Sequence, residues 1–357
     1  MKLMREEKAL FALRELYESF GYRRFQMSRF EEYRLYVQNK DFLVSDQVIT
    51  FTDPTGKLMA LKPDVTLSII KNADDAPGHV QKLYYNENVY RPSGAMGAFK
   101  EIMQAGLECV GDLTGYDAVE VAYLAAKSLQ SLDENYVLDI SHMGLIAATL
   151  ENSGLSKEGQ KQALVCLHQK NAHEMKALCA KEEVDDSQLL ALVSFCGGAK
   201  ELESLAVVLT GQAQREALAE LSQVVTTLED MGCGHHVQVD FSCAGALKYY
   251  SGLVFKGYLP GIHKSVLSGG QYDKLLAKMG KSSRAIGFAI YMDLLEDSDV
   301  EESLLMYRID PTGANPAQVL ACAQRRNQRG SVLVSADASV QSSYVIRFEN
   351  GEEVCHG

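Results

Sequence analysis

Two acidic residues stand in apolar company, where an unpartnered charge is costly. Asp64 lies between Pro63 and Val65, and Glu108 lies in the run Ala105-Gly106-Leu107-Glu108-Cys109-Val110. If residues 101–110 form a strand, its period of two puts Gln104, Gly106, Glu108 and Val110 on one face. Gln104 and Glu108 then stand about 14 Å apart along it. Facing inward, this amide and carboxylate could grip opposite ends of a small polar ligand. Facing outward, they would be ordinary solvated groups, and charged residues are mostly exposed. The pattern alone favours the solvated placement over the inward one. Metal chemistry has a poorer footing: Cys233-Gly234-His235-His236 is the densest group of soft ligands and lacks a second spaced pair, so no metal is expected. No GxxxxGK(S/T), GxGxxG or GxSxG occurs, and Gly269-Gly270 alone marks only a turn, so no cofactor is expected.

The elements that must position these groups can be read from periodicity. Leu10, Leu13, Leu16, Tyr17 and Phe20 predict an amphipathic helix closed by Gly21. Residues 48–52 and 58–61 flank a Pro54-Thr55-Gly56 turn and predict a hairpin. A helix is expected over Thr66 to Asn72, and extended segments over 82–91 and 101–110. Asp117 to Ser131 reads as a helix, and Val137 to Ile140 as a strand. Residues 154–230 turn helical and strand-poor, which suggests an insertion. Strands resume at 237–241 and 249–255. Ser268 to Asp273 is expected to open a helix, and Ala285 to Ile290 to lead into the next. Residues 304–307, 316–326, 331–335 and 344–348 read strand, helix, strand, strand. Strands mixed with helices without strict βαβ alternation predict an α+β fold with a mainly antiparallel sheet. The expected division is 1–153 and 231–297 as two parts of one core, 154–230 as the helical insertion, and 298–357 as a small C-terminal α/β domain.

Composition bounds the function. The chain has 357 residues, 46% hydrophobic and 23% charged, with 35 basic against 47 acidic residues and a net charge of −12. That is globular composition, and it argues against general nucleic-acid binding, which needs a basic surplus. Glu6 and Glu7 interrupt any apolar run of a signal peptide, and no stretch approaches the ~18 apolar residues of a membrane span. Eight scattered cysteines without a CxxC pair fit buried thiols in a reducing compartment, so a cytoplasmic location is expected.

At the same residues the sequence resembles histidyl-tRNA synthetase, a class II aminoacyl-tRNA synthetase. Leu61-Lys62-Pro63-Asp64-Val65-Thr66 is similar to that family's L-R-P-E-x-T, and Tyr90-Arg91 through Gln104 to Gly111 looks like its motif 2. Leu247 to Phe255 (LKYYSGLVF) resembles R-G-L-D-Y-Y-T-G-x-V-F, and Gly269 to Asp273 resembles G-G-R-Y-D. Ala285 to Leu295 (AIGFAIYMDLL) resembles motif 3, P-A-x-G-F-A-x-G-x-E-R. The match covers about residues 8 to 297. The resemblance implies a class II sheet flanked by helices and a histidine pocket. Asp64, Thr66 and Gln104 would take the α-amino group, and Glu108 and Tyr250 the imidazole. Tyr272 would line the pocket, and Arg91 would hold the carboxylate.

The departures fall on the ATP side. The motif 3 arginine is Leu294, the motif 2 glutamate falls in Pro92-Ser93-Gly94, and its next arginines are Ala98 and Lys100. The arginine of R-G-L-D-Y-Y aligns with Gly245 and its aspartate with Lys248. Adenylation builds charge on phosphate and needs fixed cations there. A histidine pocket without them resembles the regulatory subunits of ATP phosphoribosyltransferase. That resemblance implies a non-catalytic chain with several partners: L-histidine, a short-form catalytic subunit, and a second copy in a dimer formed through the N-terminal part, all within a hetero-octamer. No nucleic acid and no membrane are among them. The tail from 301 has five basic and seven acidic residues, which does not suit an anticodon-binding surface. Two other readings stay open: residual activation of histidine with ATP, and a pure assembly scaffold.

Overall fold

The computed structural model describes residues 5–43, 45, 47–93, 98–242, 250–295, 306–327, 330–349 and 352–356. Residues up to 298 form one compact unit and those from 299 a second. The first begins with helix α1 (Arg5–Ser19), whose stripe buries Leu13 and Tyr17. Gly21, at φ 82°, ends it in the left-handed conformation glycine adopts freely. Short strands β1 (Arg23–Arg24) and β2 (Phe30–Glu32), helix α2 (Tyr33–Gln38) and the hairpin β3 (Thr50–Thr52) and β4 (Leu58–Leu61) follow. Then come α3 (Thr66–Asn72) and the long hairpin β5 (Val80–Ser93) and β6 (Ala98–Gly111). Helix α4 (Gly115–Leu132) starts at a capping box in which Thr114 and Asp117 satisfy each other's backbone groups.

After β7 (Val137–His142) and α5 (Met143–Asn152), five helices run in succession: α6 (Lys157–His168), α7 (Ala172–Lys181), α8 (Ser187–Val193), α9 (Ala199–Val208) and α10 (Gln212–Asp230). Helix α10 packs on α4, α5 and α9 and buries Leu218, Leu221, Val224, Val225 and Leu228. The sheet resumes with β8 (Val237–Val239), β9 (Leu253–Tyr258) and β10 (Leu267–Gln271), then α11 (Asp273–Lys278) and β11 (Arg284–Tyr291).

Eight strands in the order β1-β5-β6-β11-β10-β9-β7-β8 make the main sheet. It is antiparallel except for its edge pairs, β1 with β5 and β7 with β8. Strands β2-β4-β3 form a separate small sheet. The main sheet is buried on both sides. Ala105, Leu107 and Cys109 join one core with α1 and α4, while Val110 joins a second core with Tyr85, Tyr272 and the helix α3 residues Leu67, Ile69 and Ile70.

The segment expected to open a helix at 268–273 does lead into α11 at Asp273 but is itself strand β10 up to Gln271, and the segment at 285–290, expected to lead into a helix, is strand β11. Both strands are central, and Gly269, Gly270 and Gly287 remove side chains that would have shown alternation. The strand expected at 249–255 begins only at Leu253.

The second unit contains β12 (Met306–Ile309), α12 (Pro316–Arg326), β13 (Ser331–Val334), β14 (Tyr344–Glu349) and β15 (Glu352–His356), with sheet order β13-β12-β14-β15. Its small core is Tyr307, Ile309, Val319, Cys322 and Ile346.

Candidate functional site

Register places the acidic pair. Along β6, side chains alternate, and cross-strand partners on β5, β11 and β10 form rows on the pocket face. The inner row holds Glu108, Gly287 and Gly270. The middle row holds Tyr85, Gly106, Ala289 and Ser268, and the outer row Glu87, Gln104 and Tyr291. Three glycines on three neighbouring strands therefore lie under the site. A β-carbon on Gly106 would lie 2.6 Å from the Tyr85 hydroxyl, and one on Gly270 would lie 2.7 Å from the Tyr250 ring. One on Gly287 would collide with Glu108 Oε2 and with the Leu107 carbonyl. Because the Leu107 carbonyl is backbone and cannot swing away, Gly287→Ala is expected to cost about 2 kcal/mol. A urea unfolding curve checks this.

Over these glycines lies a cavity of about 280 Å³. Asp64, Thr66, Arg91, Gln104, Glu108, Tyr250 and Tyr272 all line it. Glu108 is a buried polar group of the lining: Thr66 Oγ1 donates to Oε1 at 2.7 Å, and the Tyr272 hydroxyl donates to Oε2. Burial dominates this carboxyl and pushes it up to about 8, with Asp64 adding to the rise and the two hydroxyls opposing it. Burial likewise pushes Asp64 up, against the pull of Arg91 and of the amides at the start of α3. Asp64 Oδ1 accepts the Leu67 N–H at 2.9 Å, so one residue both caps α3 and borders the cavity. Arg91 Nε donates to the Pro63 carbonyl at 2.8 Å, and its Nη2 lies 3.8 Å from Asp64. The tyrosines Tyr85 and Tyr250 are held above the usual phenol range by burial, so both are hydroxyl donors at neutral pH. Among these residues are a carboxylate and an amide acceptor for an ammonium, a carboxyl and hydroxyls for a ring nitrogen, and a guanidinium for a carboxylate.

The structure adds residues that sequence reasoning passed over: Tyr85, Ser268, Gly287 and Tyr291 line the same cavity. The signal for Tyr85 was Gly106, its cross-strand partner, whose missing side chain leaves room for a large neighbour. On the ATP side, Lys100 Nζ donates to Asp293 Oδ2 at 2.9 Å, so the lysine at a motif 2 arginine position is paired with a carboxylate. Leu294 packs against the apolar core, and Ala98 is exposed at the start of β6. Gly94, Gly245 and Lys248 lie outside the described residues. The Cys233-His236 cluster is otherwise engaged: Cys233 is buried, and His236 Nδ1 donates to the Tyr136 carbonyl at 3.0 Å while its ring stacks on Tyr136.

The family model described as Histidyl-tRNA synthetase matches residues 1–295. The ATP phosphoribosyltransferase regulatory subunit of Caldanaerobacter subterraneus subsp. tengcongensis is 30% identical over 287 residues, 78% of this chain and 75% of that protein. Among solved structures, an ATP phosphoribosyltransferase regulatory subunit/histidyl-tRNA synthetase from Bacillus halodurans superposes with a TM-score of 0.76 at 24% identity, covering 95% of this chain and 90% of that one. An ATP phosphoribosyl transferase (HisG:HisZ) complex from Thermotoga maritima contains a chain with a TM-score of 0.64 at 20% identity, covering 82% and 98%. These structural likenesses establish the class II synthetase-like fold. The sequence matches go further: the chain belongs to the histidyl-tRNA synthetase family and, within it, to the regulatory subunits of ATP phosphoribosyltransferase.

Proposed function

We propose that the cavity binds free L-histidine and that the chain, without catalysis of its own, carries histidine feedback to a short-form ATP phosphoribosyltransferase catalytic subunit. In this reading the complex is a hetero-octameric glycosyltransferase of the cytoplasm that performs the first step of histidine biosynthesis. One observation carries it: the seven residues expected to hold histidine share one cavity, while Lys100, at a motif 2 arginine position, is paired with Asp293. Asp64, Thr66 and Gln104 are suited to the ligand's ammonium, and Glu108 with Tyr250 and Tyr272 to its imidazole. Arg91 is suited to its carboxylate. The Thermotoga assembly supports a catalytic partner. Dimerisation through the N-terminal part is supported by an exposed aromatic pair on the small sheet, Phe30 and Phe51, whose rings meet edge to face at 5.4 Å. The buried thiols of Cys109, Cys166, Cys179, Cys233 and Cys322 suit a reducing compartment.

Calorimetric titration of the full chain with L-histidine is expected to show saturable binding. No binding, by the chain alone or with its catalytic partner, overturns the reading. Histidine-dependent exchange of pyrophosphate into ATP is expected to be absent.

A further inference from the structure

The outer end of the cavity is built unlike its inner end. Tyr291 stands there directly across from Gln104, in the register position next to the amide proposed to meet the ligand's amino group. The motif 3 pattern has glycine at this place; here it is a half-buried tyrosine that lines the cavity near Tyr85 and Tyr250. Beyond it on the same chain segment is Asp293. Its Oδ2 accepts from Lys100, and its buried Oδ1 has no hydrogen-bond partner among the described residues. Arg91 is the cross-strand partner of Lys100 and lies beside Asp64. A group extending from the ligand's carboxylate would thus meet a phenol ring first. It would then reach a region where the basic side chains Arg91 and Lys100 already face acceptor oxygens. A phosphate there would have to compete with Asp293 for Lys100 and with Asp64 for Arg91.

We infer that Tyr291, with the Lys100–Asp293 bridge beyond it, is the specificity determinant that makes this a site for the free amino acid and closes it to derivatives extended through the carboxylate, acyl adenylates above all. The inference rests on the reading of the cavity as a histidine site. It gives Tyr291 a positive role: the sensor would report free histidine and ignore histidine already activated for another reaction.

The test compares two probes on the full-length chain by calorimetry: L-histidine and the sulfamoyl analogue of histidyl adenylate. The wild-type chain is expected to bind histidine and to bind the analogue at least roughly 100-fold more weakly, the scale that a designed clash achieves. Tyr291→Gly should narrow that gap at least roughly tenfold, and Tyr291→Phe, which keeps the ring, should preserve it. Equal affinity of the wild-type chain for both probes overturns the inference and leaves the histidine reading standing. So does an unchanged gap in a Tyr291→Gly chain that melts like wild type. Failure of histidine itself to bind overturns the histidine reading, and the inference falls with it. The wild-type comparison decides the matter even if Tyr291→Gly does not fold.

Discussion

Glu108→Gln will make the ligand-free protein more stable at pH 8 and leave it nearly unchanged at pH 4.5. The carboxyl has its ordinary value of 4.5 in the unfolded chain and about 8 in the folded one. Below pH 4.5 it is protonated in both states and costs nothing. Between pH 4.5 and about 8 the unfolded chain has released the proton and the folded chain keeps it, so stability from this group falls as pH rises. Above about 8 both states are ionised and the loss stops growing. At pH 7 the loss is on the order of 3 kcal/mol, two and a half pH units at about 1.4 kcal/mol each. An amide of the same shape removes that loss. It keeps one oxygen to accept from Thr66 or Tyr272, and the other hydroxyl can turn to accept from the new NH₂. Urea unfolding of both proteins at pH 4.5, 6, 7 and 8 should show the difference opening with pH. A flat difference would mean that Glu108 holds no extra proton. The same variant should bind L-histidine at least about tenfold more weakly, because an amide cannot carry the charge that faces an imidazolium. The protein then carries at Glu108 an instability that its ligand relieves.

The second large effect lies one strand away. Lys62 is 1% exposed and pairs with Glu87, itself 16% exposed. Lys62→Met strands a buried carboxylate and should destabilise the first unit by about 3 kcal/mol. Replacing both partners, Lys62→Met with Glu87→Met, should recover most of that loss, because two apolar side chains need no compensating charge. Four urea midpoints complete the cycle, and a double variant as unstable as the single one would show that the loss does not come from the stranded carboxylate. Glu87 shares the outer row with Gln104, and Lys62 leads directly into Pro63 and Asp64. The single variant should therefore weaken histidine binding as well as folding.

These two residues show what sequence could and could not reveal. Period-2 alternation put Gln104 and Glu108 on one face correctly, yet it could not tell that face from solvent. The reason is physical: β6 has a core on each side, so burial does not alternate along it, and Gln104 through Val110 are all buried. Helix α3 was legible to its ends, expected over Thr66 to Asn72 after the Pro63-Asp64 break and found there. Tyr85 and Tyr291 were not legible as cavity residues, because their place depends on which strands pair and in which register. Strands β10 and β11 were hidden by the glycines that make the site possible. The chemistry of the pocket was the more visible part: carboxylates and amides in apolar runs advertise themselves, whereas a glycine that makes room for them does not.

Those glycines have a consequence for how the site can change over evolutionary time. Gly106, Gly270 and Gly287 form the ground on which Tyr85, Tyr250 and Glu108 stand. Any of the three that gains a methyl group displaces the wall residue above it or meets backbone. The ground is closed to gradual variation, and drift in ligand preference is channelled to the upright side chains, the half-buried Tyr291 among them. A lineage of such proteins could exchange one amino acid for another, or regain a nucleotide, by replacing rim and wall residues alone while the bare rows of the sheet pass through unchanged.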